Sequence, residues 1–417
     1  MRIVCYECGK ESASRGMAVQ CACGGLLDVV HDFSGADAEK LKRVFRDRLS
    51  ERTGPYASGV WRYKELIHPE LPEAHIVTKY EGNTGLYRSE PVRRALGIRD
   101  VWLKAQSENP SGSFKDNGMT VAVSHGRWQG YEMFTCASTG NTSSSVAMYA
   151  ALAGCMSVVL VPREKIAMNK VLQTLAYGAK MVGFDGTYDD GIRFYERYGR
   201  ELDMYICNSI NPFRIEGQKS IVYEIAQSLR WELPDWIVVP GGALSNVTAL
   251  GKGLLDLYEL GFIPRLPRIA LVQAEGASPF HELMKRGAGE LVPFERPETA
   301  ASALNIGNPP SWRKARDLLS RIGGATCAVS DEEILEAKAL VDRSGIGCEP
   351  ASAATVAGVR KLVSEGAIGR DETAACILTG NLLKDADALK RIHLDGSPDR
   401  ILRAELSPES IERCLRG

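Results

Sequence analysis

Short apolar runs alternate with amphipathic helical stretches over most of the sequence, and this alternation limits the fold more than any other feature. The runs that we predict as strands are Leu103–Ala105, Met133–Cys136, Ser157–Val161, Lys180–Phe184, Met204–Cys207, Trp236–Val239, Ile269–Gln273 and Ala375–Leu378. Apolar strands separated by helices are typical of parallel sheets whose two faces are both covered by helices. The sequence therefore predicts an α/β fold, with ligands bound beyond the C-terminal ends of the strands.

Composition and charge argue against several kinds of partner. A chain of 417 residues with 44% hydrophobic content can bury a sizeable core, and its length predicts two or three domains. A formal net charge of −1 favours neither nucleic acid nor an anionic membrane surface as a partner. The longest uncharged run, residues 137–162, fits a helix, a turn and a strand better than a membrane span. The N-terminus shows no signal segment, and we expect a cytoplasmic protein.

A lysine among small and turn-forming residues is the best candidate for a reactive group. Lys115 lies in Ser-Gly-Ser-Phe-Lys-Asp-Asn-Gly, between a predicted strand and the helical pattern of Met119–Trp128, which puts it at a helix start. A free lysine amine has a pKa of about 10.4, which burial or a neighbouring cation must lower before the amine can attack a carbonyl. On this stretch alone, a solvated surface lysine is the commoner alternative.

Two further strand ends run into polar or glycine-rich helix starts. Residues 137–145, Ala-Ser-Thr-Gly-Asn-Thr-Ser-Ser-Ser, offer backbone N–H groups, hydroxyls and one amide that suit an anion or a phenolic oxygen. An ordinary Ser/Thr-rich helix cap is the alternative there. The strand at 236–239 turns through Gly241 and Gly242, where backbone N–H groups can cradle phosphate. Its glycine spacing fits neither a dinucleotide fingerprint nor a P-loop, and plain strand–loop–helix packing is the alternative.

Four of the 11 cysteines cluster near the N-terminus, at Cys5, Cys8, Cys21 and Cys23. Each pair is followed by a glycine, and two such turns can direct four thiolates at one tetrahedral Zn²⁺. The second pair is closer together than the usual CxxC, so four reduced structural cysteines are the alternative. In a long chain without a secretory signal, metal ligands or thiols are favoured over disulfides, and we expect a structural zinc site.

These stretches and several others resemble, in order along the chain, the motifs of a known enzyme family. The segments 81–86, 109–116 and 137–142 are similar to the fold-type II pyridoxal-phosphate (PLP) enzymes. Three more, 208–219, 302–309 and 378–385, narrow the resemblance to the threonine synthases. Such ordered agreement over most of the chain is more specific than any single motif.

The resemblance implies a fold-type II architecture like that of the tryptophan synthase β subunit, with two α/β domains rich in parallel sheet. A zinc-ribbon-like segment at 1–30 would precede them. The large α/β domain would comprise 31–105 and 211–417, and the small α/β domain 106–210. Homodimers are common in this family, so we expect one here.

The resemblance also implies that Lys115 attaches PLP and then acts as the base. Other cofactor contacts would come from Asn141, Gly241, Gly242, Ala243, Leu244, Ser245, Asn246 and Thr379. Thr379 would meet the pyridine nitrogen, where a neutral partner gives a milder electron sink than a carboxylate. The chain departs from the family pattern at Gly242 and Ser245, within the usual Gly-Asn-x-Gly-Asn, and at Asn381-Leu382, where His-Gly is common.

For the substrate O-phospho-L-homoserine, the resemblance assigns the phosphate to Ser138, Thr142, Asn208 and Arg214. An arginine fork and a helix N-terminus both suit a dianion. Without the resemblance, Arg214 beside Glu216 reads equally as a surface ion pair. The implied reaction is γ-elimination of phosphate and β-addition of water, which yields L-threonine.

Two alternatives stay open. One is another fold-type II PLP enzyme, such as a serine or threonine dehydratase or a β-replacing synthase that uses a phosphorylated amino acid. The other is a non-enzymatic descendant that keeps the fold as an interaction module.

Overall fold

The computed structural model describes residues 1–12, 19–138, 140–163, 168–186, 188–199, 201–395 and 403–416. Thr139, within the predicted anion-binding helix start, lies outside them. The described residues form three sheets. Their strands are β1 (Arg2–Cys5), β2 (Glu11–Ser12), β3 (Leu27–Val30), β4 (Leu86–Arg88), β5 (Asp100–Ala105), β6 (Met133–Ala137), β7 (Met156–Pro162), β8 (Lys180–Phe184), β9 (Met204–Ile206), β10 (Trp236–Pro240), β11 (Arg268–Ala274), β12 (Ala325–Val329) and β13 (Thr373–Leu378).

The larger α/β sheet has six strands in the order β12-β11-β10-β13-β5-β4, all parallel except β4, which runs antiparallel to β5. Every residue of β10 and β13 is buried, as expected for central strands covered on both faces. The smaller one has four parallel strands in the order β8-β7-β6-β9. The α/β class and the eight predicted strands are therefore confirmed. The sequence prediction missed β4 and β12, since neither is marked by a run of large apolar residues.

The N-terminal sheet is antiparallel, in the order β2-β1-β3, and packs on the rest of the molecule. Ile3, Leu27 and Val29 are buried in the same apolar cluster as Ile237 and Leu271 of the six-stranded sheet. In addition, Lys314 donates a hydrogen bond of 2.8 Å from Nζ to the carbonyl of Leu27. The small sheet therefore shares a core with the large one.

Helices cover both α/β sheets. They are α1 (Ala38–Asp47), α2 (Lys64–Ile67), α3 (Glu90–Leu96), α4 (Lys115–Trp128), α5 (Asn141–Leu152), α6 (Met168–Ala176), α7 (Tyr188–Tyr198), α8 (Pro212–Gln218), α9 (Ser220–Ser228), α10 (Ser245–Glu259), α11 (Pro279–Arg286), α12 (Trp312–Ile322), α13 (Asp331–Arg343), α14 (Pro350–Ser364), α15 (Ala386–Lys390) and α16 (Pro408–Arg416). In the described part of the chain, none of them combines the length and the apolar character that crossing a bilayer requires.

The loops after β5 and β13 are joined at the C-terminal edge of the six-stranded sheet. Phe114 donates its backbone N–H to the carbonyl of Thr379 at 2.9 Å, and Asn381 donates to the carbonyl of Gly112 at 2.9 Å. Because β5 and β13 are parallel neighbours, their ends meet at one edge. Residues more than 260 positions apart are thereby brought into one site.

Helix α14 crosses β10 to β13 and depends on a glycine for its closeness to the sheet. A Cβ on Gly358 would lie 2.3 Å from Cγ2 of Val272, on β11. We expect Gly358→Ala to lower the free energy of unfolding by about 1–3 kcal/mol, because the helix and sheet must separate. Urea unfolding followed by circular dichroism measures this. Gly289→Ala is the control, since a Cβ there meets no atom within 4 Å; equal stability of the two variants would contradict the packing argument.

Candidate active site

Lys115 opens α4 and is partly buried. Its Nζ lies 4.1 Å from the centre of the Phe114 ring, and within the described ranges no hydrogen-bond acceptor or carboxylate pairs with it. Burial and the positive charge of Arg214 lower the pKa of this amine to about 7, although the charge of Glu349 opposes the shift. A lysine in this setting is not the solvated surface lysine of the alternative interpretation. Near neutral pH, much of the amine is unprotonated and able to attack a carbonyl.

A buried carboxylate fixes the loop that carries Lys115. Asp116 accepts hydrogen bonds of 2.6 Å from the N–H of Ser111, the hydroxyl of Ser111 and the hydroxyl of Ser145 on α5. Burial raises the pKa of Asp116 to about 6, although these hydrogen bonds favour the charged form. The lysine loop is therefore tied to the helix that begins at Asn141.

Asn141 and Thr379 meet across a shared carboxylate. The Nδ2 of Asn141 lies 3.0 and 3.3 Å from the two carboxylate oxygens of Glu349, and the Thr379 hydroxyl lies 3.4 Å from one of them. Thr379 also lies within 3.0 Å of the hydroxyl of Ser352. The structure thus brings the ends of β6 and β13 together beside Lys115.

Arg214 is fully buried on α8 and carries unpartnered donors. Its Nη1 donates to the carbonyl of Cys207 at 2.8 Å, whereas Nε and Nη2 have no hydrogen-bond acceptor among the described residues. Glu216 pairs instead with His31 and Lys219, at 2.6 Å each. The alternative of a surface ion pair between Arg214 and Glu216 is therefore wrong. Buried donors without acceptors are costly, which favours an anionic ligand.

The other residues predicted for the phosphate lie at or near the start of α5. Asn208 exchanges two hydrogen bonds with the backbone of Ala137, at 3.2 and 3.3 Å, and so holds the end of β6. The Ser138 hydroxyl accepts the N–H of Gly140 at 3.2 Å, and Thr142 occupies the first turn of the helix. Among the described residues, which leave out Thr139, no side chain caps this helix, so its first N–H groups are available for a ligand.

The loop from Gly241 to Asn246 leads from β10 into α10 through a left-handed turn at Leu244, with φ of 65°. Within this loop, Ser245 and Asn246 are buried, and neither polar side-chain atom of Asn246 has a partner in the described structure. Gly242 lies against the segment at Ala303, whose carbonyl would be 3.0 Å from a Cβ at that position. Together with the unpaired amine of Lys115, this loop fits an aldehyde cofactor with a phosphate, and the free donors of Arg214 fit a second anion.

The four N-terminal cysteines lie together, with all their sulfur atoms within 4.8 Å of one another. The Cys5–Cys23 and Cys8–Cys23 sulfurs are 3.5 Å apart, and the Cys8–Cys21 sulfurs are 3.8 Å apart. Zn–S bonds of about 2.3 Å in a tetrahedron place sulfurs about 3.8 Å apart. The arrangement has the dimensions of a four-thiolate zinc site.

Two charged residues of the site were not singled out for a role by sequence reasoning. Glu349 precedes Pro350, and an acidic residue before a proline at a helix start is an ordinary signal of that start. Lys384 lies within the resemblance motif of 378–385; its Nζ donates to Ser144 at 3.3 Å and to Gln173. Only their positions in the folded chain mark these residues as part of the site.

Comparison with known proteins agrees with this geometry. The profile of the family described as "Pyridoxal-phosphate dependent enzyme" matches residues 77–380. A solved structure of threonine synthase from Escherichia coli superposes with a TM-score of 0.73 at 19% identity, over 99% of this chain and 94% of that one. Maize serine racemase superposes with a TM-score of 0.62 at 18% identity, over 78% and 95% of the chains. At these identities the structures show the fold alone, which is the predicted fold-type II architecture.

The profile match makes this chain a member of the family of pyridoxal-phosphate-dependent enzymes. Its sequence is 43% identical to a threonine synthase of Methanocaldococcus jannaschii, over 99% of this chain and 98% of that protein. It is 36% identical to threonine synthase 2, chloroplastic, of Arabidopsis thaliana, over 87% and 72% of the two chains. Within the PLP family it therefore belongs with the threonine synthases, as the sequence motifs predicted.

Proposed function

We propose that this protein converts O-phospho-L-homoserine and water to L-threonine and phosphate, as a PLP-dependent lyase. The observation that carries the proposal is a fully buried Arg214 with two unused donor nitrogens, whose charge helps to lower the pKa of Lys115. A lysine nucleophile alone would suit many PLP enzymes. The buried arginine favours a substrate with an anionic group of its own, which free serine and threonine lack beyond the α-carboxylate.

Lys115 would attach the cofactor, Asn141 and Thr379 would contact its ring, and residues 241–246 would hold its phosphate. Once bound there, PLP would withdraw electrons from the α-carbon of the substrate. One departure from the family pattern within this loop is Ser245, whose side chain is buried at the start of α10. Backbone N–H groups of this loop are therefore the main phosphate donors in our proposal.

Lys115 would also move the protons. Its amine, with a pKa of about 7, is poised to accept a proton from the α-carbon at Nζ, to pass that proton on, and only then to accept one from the β-carbon. Two protons would return to the substrate, at the γ-carbon and the α-carbon, before threonine leaves. Arg214 would hold the phosphate through Nε and Nη2, a fork that matches two phosphate oxygens. Ser138 and Thr142 would add hydroxyl groups at the N-terminus of α5, and the same contacts would stabilise the departing phosphate.

The first test incubates the PLP-loaded protein separately with O-phospho-L-homoserine, L-threonine and L-serine. We expect stoichiometric phosphate and threonine from the first substrate alone, measured by phosphate assay and chromatography. The Lys115→Ala variant should lose turnover and the visible absorbance of attached PLP, while its circular dichroism stays that of the wild type. Oxo acid from threonine or serine without phosphate release would instead mean a dehydratase, and failure to take up PLP would favour the non-enzymatic alternative.

A second test separates the substrate site from the cofactor site. We expect Arg214→Ala to raise KM for O-phospho-L-homoserine about 30-fold or more, since loss of a charge-assisted contact costs about 2 kcal/mol or more. Arg214→Lys keeps the positive charge but loses the two parallel N–H donors of the guanidinium group. Its KM should lie between those of the wild type and Arg214→Ala. Arg321→Ala, on the exposed face of α12, is the control. If Arg214→Ala changed the PLP absorbance as much as KM, we would conclude that Arg214 binds the cofactor and not the substrate.

We also propose that the N-terminal cysteine cluster holds one structural zinc ion. Since all four ligand positions would be thiolates, no position is left for catalysis. Cys8→Ser should reduce bound zinc, measured by plasma mass spectrometry, from about one to below 0.1 per chain and lower Tm, because metal binding contributes to folding. Cys155→Ser, outside the cluster, should change neither quantity. Full zinc content in the Cys8 variant would exclude this site.

Other parts of the proposal come from the sequence and the family resemblance. They are a homodimer, a cytoplasmic location, and a division of the chain into a ribbon segment (1–30), a large domain (31–105 with 211–417) and a small domain (106–210). The three sheets support this division, since each predicted unit contains one of them.

A further inference from the structure

Glu349 occupies a central place in the site, although the mechanism described above gives it no role. It precedes α14, is only 5% exposed, and receives the N–H of Asn141 Nδ2 on both carboxylate oxygens. One of these oxygens also lies within reach of the Thr379 hydroxyl, at 3.4 Å. A single carboxylate therefore joins the two side chains that would contact the cofactor ring.

The surrounding backbone is shaped to hold this carboxylate. Glu349 donates its own N–H to the carbonyl of Gly380 at 3.0 Å. A Cβ on Gly380 would lie 2.4 Å from the carboxylate, so a larger residue there would displace the Glu349 side chain. Ser352, one turn along α14, lies 3.0 Å from the Thr379 hydroxyl and accepts the N–H of Gly380 at 3.0 Å. These contacts fix Glu349 and Thr379 relative to each other.

Charges face Glu349 from several elements. Lys115 at the start of α4 and Lys384 after β13 are positive, while Asp385 is negative. Arg214 on α8 faces Lys115 in turn. Burial raises the pKa of Glu349, whereas the Asn141 hydrogen bond and the two lysines oppose that rise. The negative charge of Glu349 in turn favours the protonated form of Lys115.

We propose that Glu349 is a positioning residue, whose carboxylate orients Asn141 and Thr379 toward the cofactor ring and supplies a negative charge to the site of Lys115. A side-chain amide has two N–H donors, so one hydrogen shared between the two oxygens of Glu349 would leave the other for the ring. The proposal rests on the proposed function only in requiring that PLP attaches to Lys115.

The test follows the attachment of PLP to cofactor-free protein, since attachment requires an unprotonated lysine. The rate at which the visible absorbance band forms is measured against pH. In Glu349→Gln the negative charge is gone, so the Lys115 amine loses its proton at lower pH. We expect the midpoint of the rate profile to move down by about one pH unit and turnover to fall about tenfold or more. Glu365→Gln, at the exposed far end of the same helix, should keep the wild-type midpoint and turnover.

An unchanged midpoint in a folded Glu349→Gln variant would overturn the proposal. If that variant fails to fold, the Glu349→Asp variant tests the proposal. It keeps the charge but shortens the side chain, so the midpoint should stay near that of the wild type while turnover falls. Full turnover in Glu349→Asp would overturn the positioning role. A wild-type protein that never forms the absorbance band would instead disprove the proposed function, which separates the two failures.

Discussion

The site depends on one buried amine held between opposite charges. Lys115 has no hydrogen-bond or ion-pair partner for Nζ in the described residues, while burial and Arg214 disfavour its charged form and Glu349 favours it. An ammonium group buried without a partner is costly, and the usual outcome is a lowered pKa. The remaining features of the site hold these three groups in place. They are the Asp116 hydrogen bonds, the pairing of the lysine loop with the loop after β13, and the contact of α14 with Gly380.

The helix that carries Arg214 is anchored by a second buried network, which extends to the N-terminal sheet. Glu216, two residues further along α8, pairs with His31, Lys219 and Lys252 within 2.5–2.6 Å. Burial would raise the pKa of Glu216, but the two lysines and His31 hold it well below the usual value. Removing one member of such a network leaves a buried charge without its partner, which is strongly destabilising. The segment after β3 is therefore part of the frame around the arginine.

Several elements could be predicted from the sequence because local pattern decides them. The parallel strands are buried on both faces and read as apolar runs, and the lysine at a helix start is a local arrangement of turn and helix residues. The family could be identified because its motifs occur in order. Strand β12 could not be predicted, because Ala325–Val329 consists mostly of small residues. The role of Glu349 could not be predicted either, because it follows from a contact with Asn141, 208 residues away.

The sequence by itself determined the α/β class, the helix that starts at Lys115, the family and the set of polar residues at the strand ends. Only the tertiary structure decided which of these residues share a site and in what electrostatic state. Spacing along the chain carries no information on whether Arg214 pairs with Glu216 or turns inward with unused donors. Burial decides that, because the energy of a charge depends on the solvent and the groups around it, and both are set by packing between distant segments.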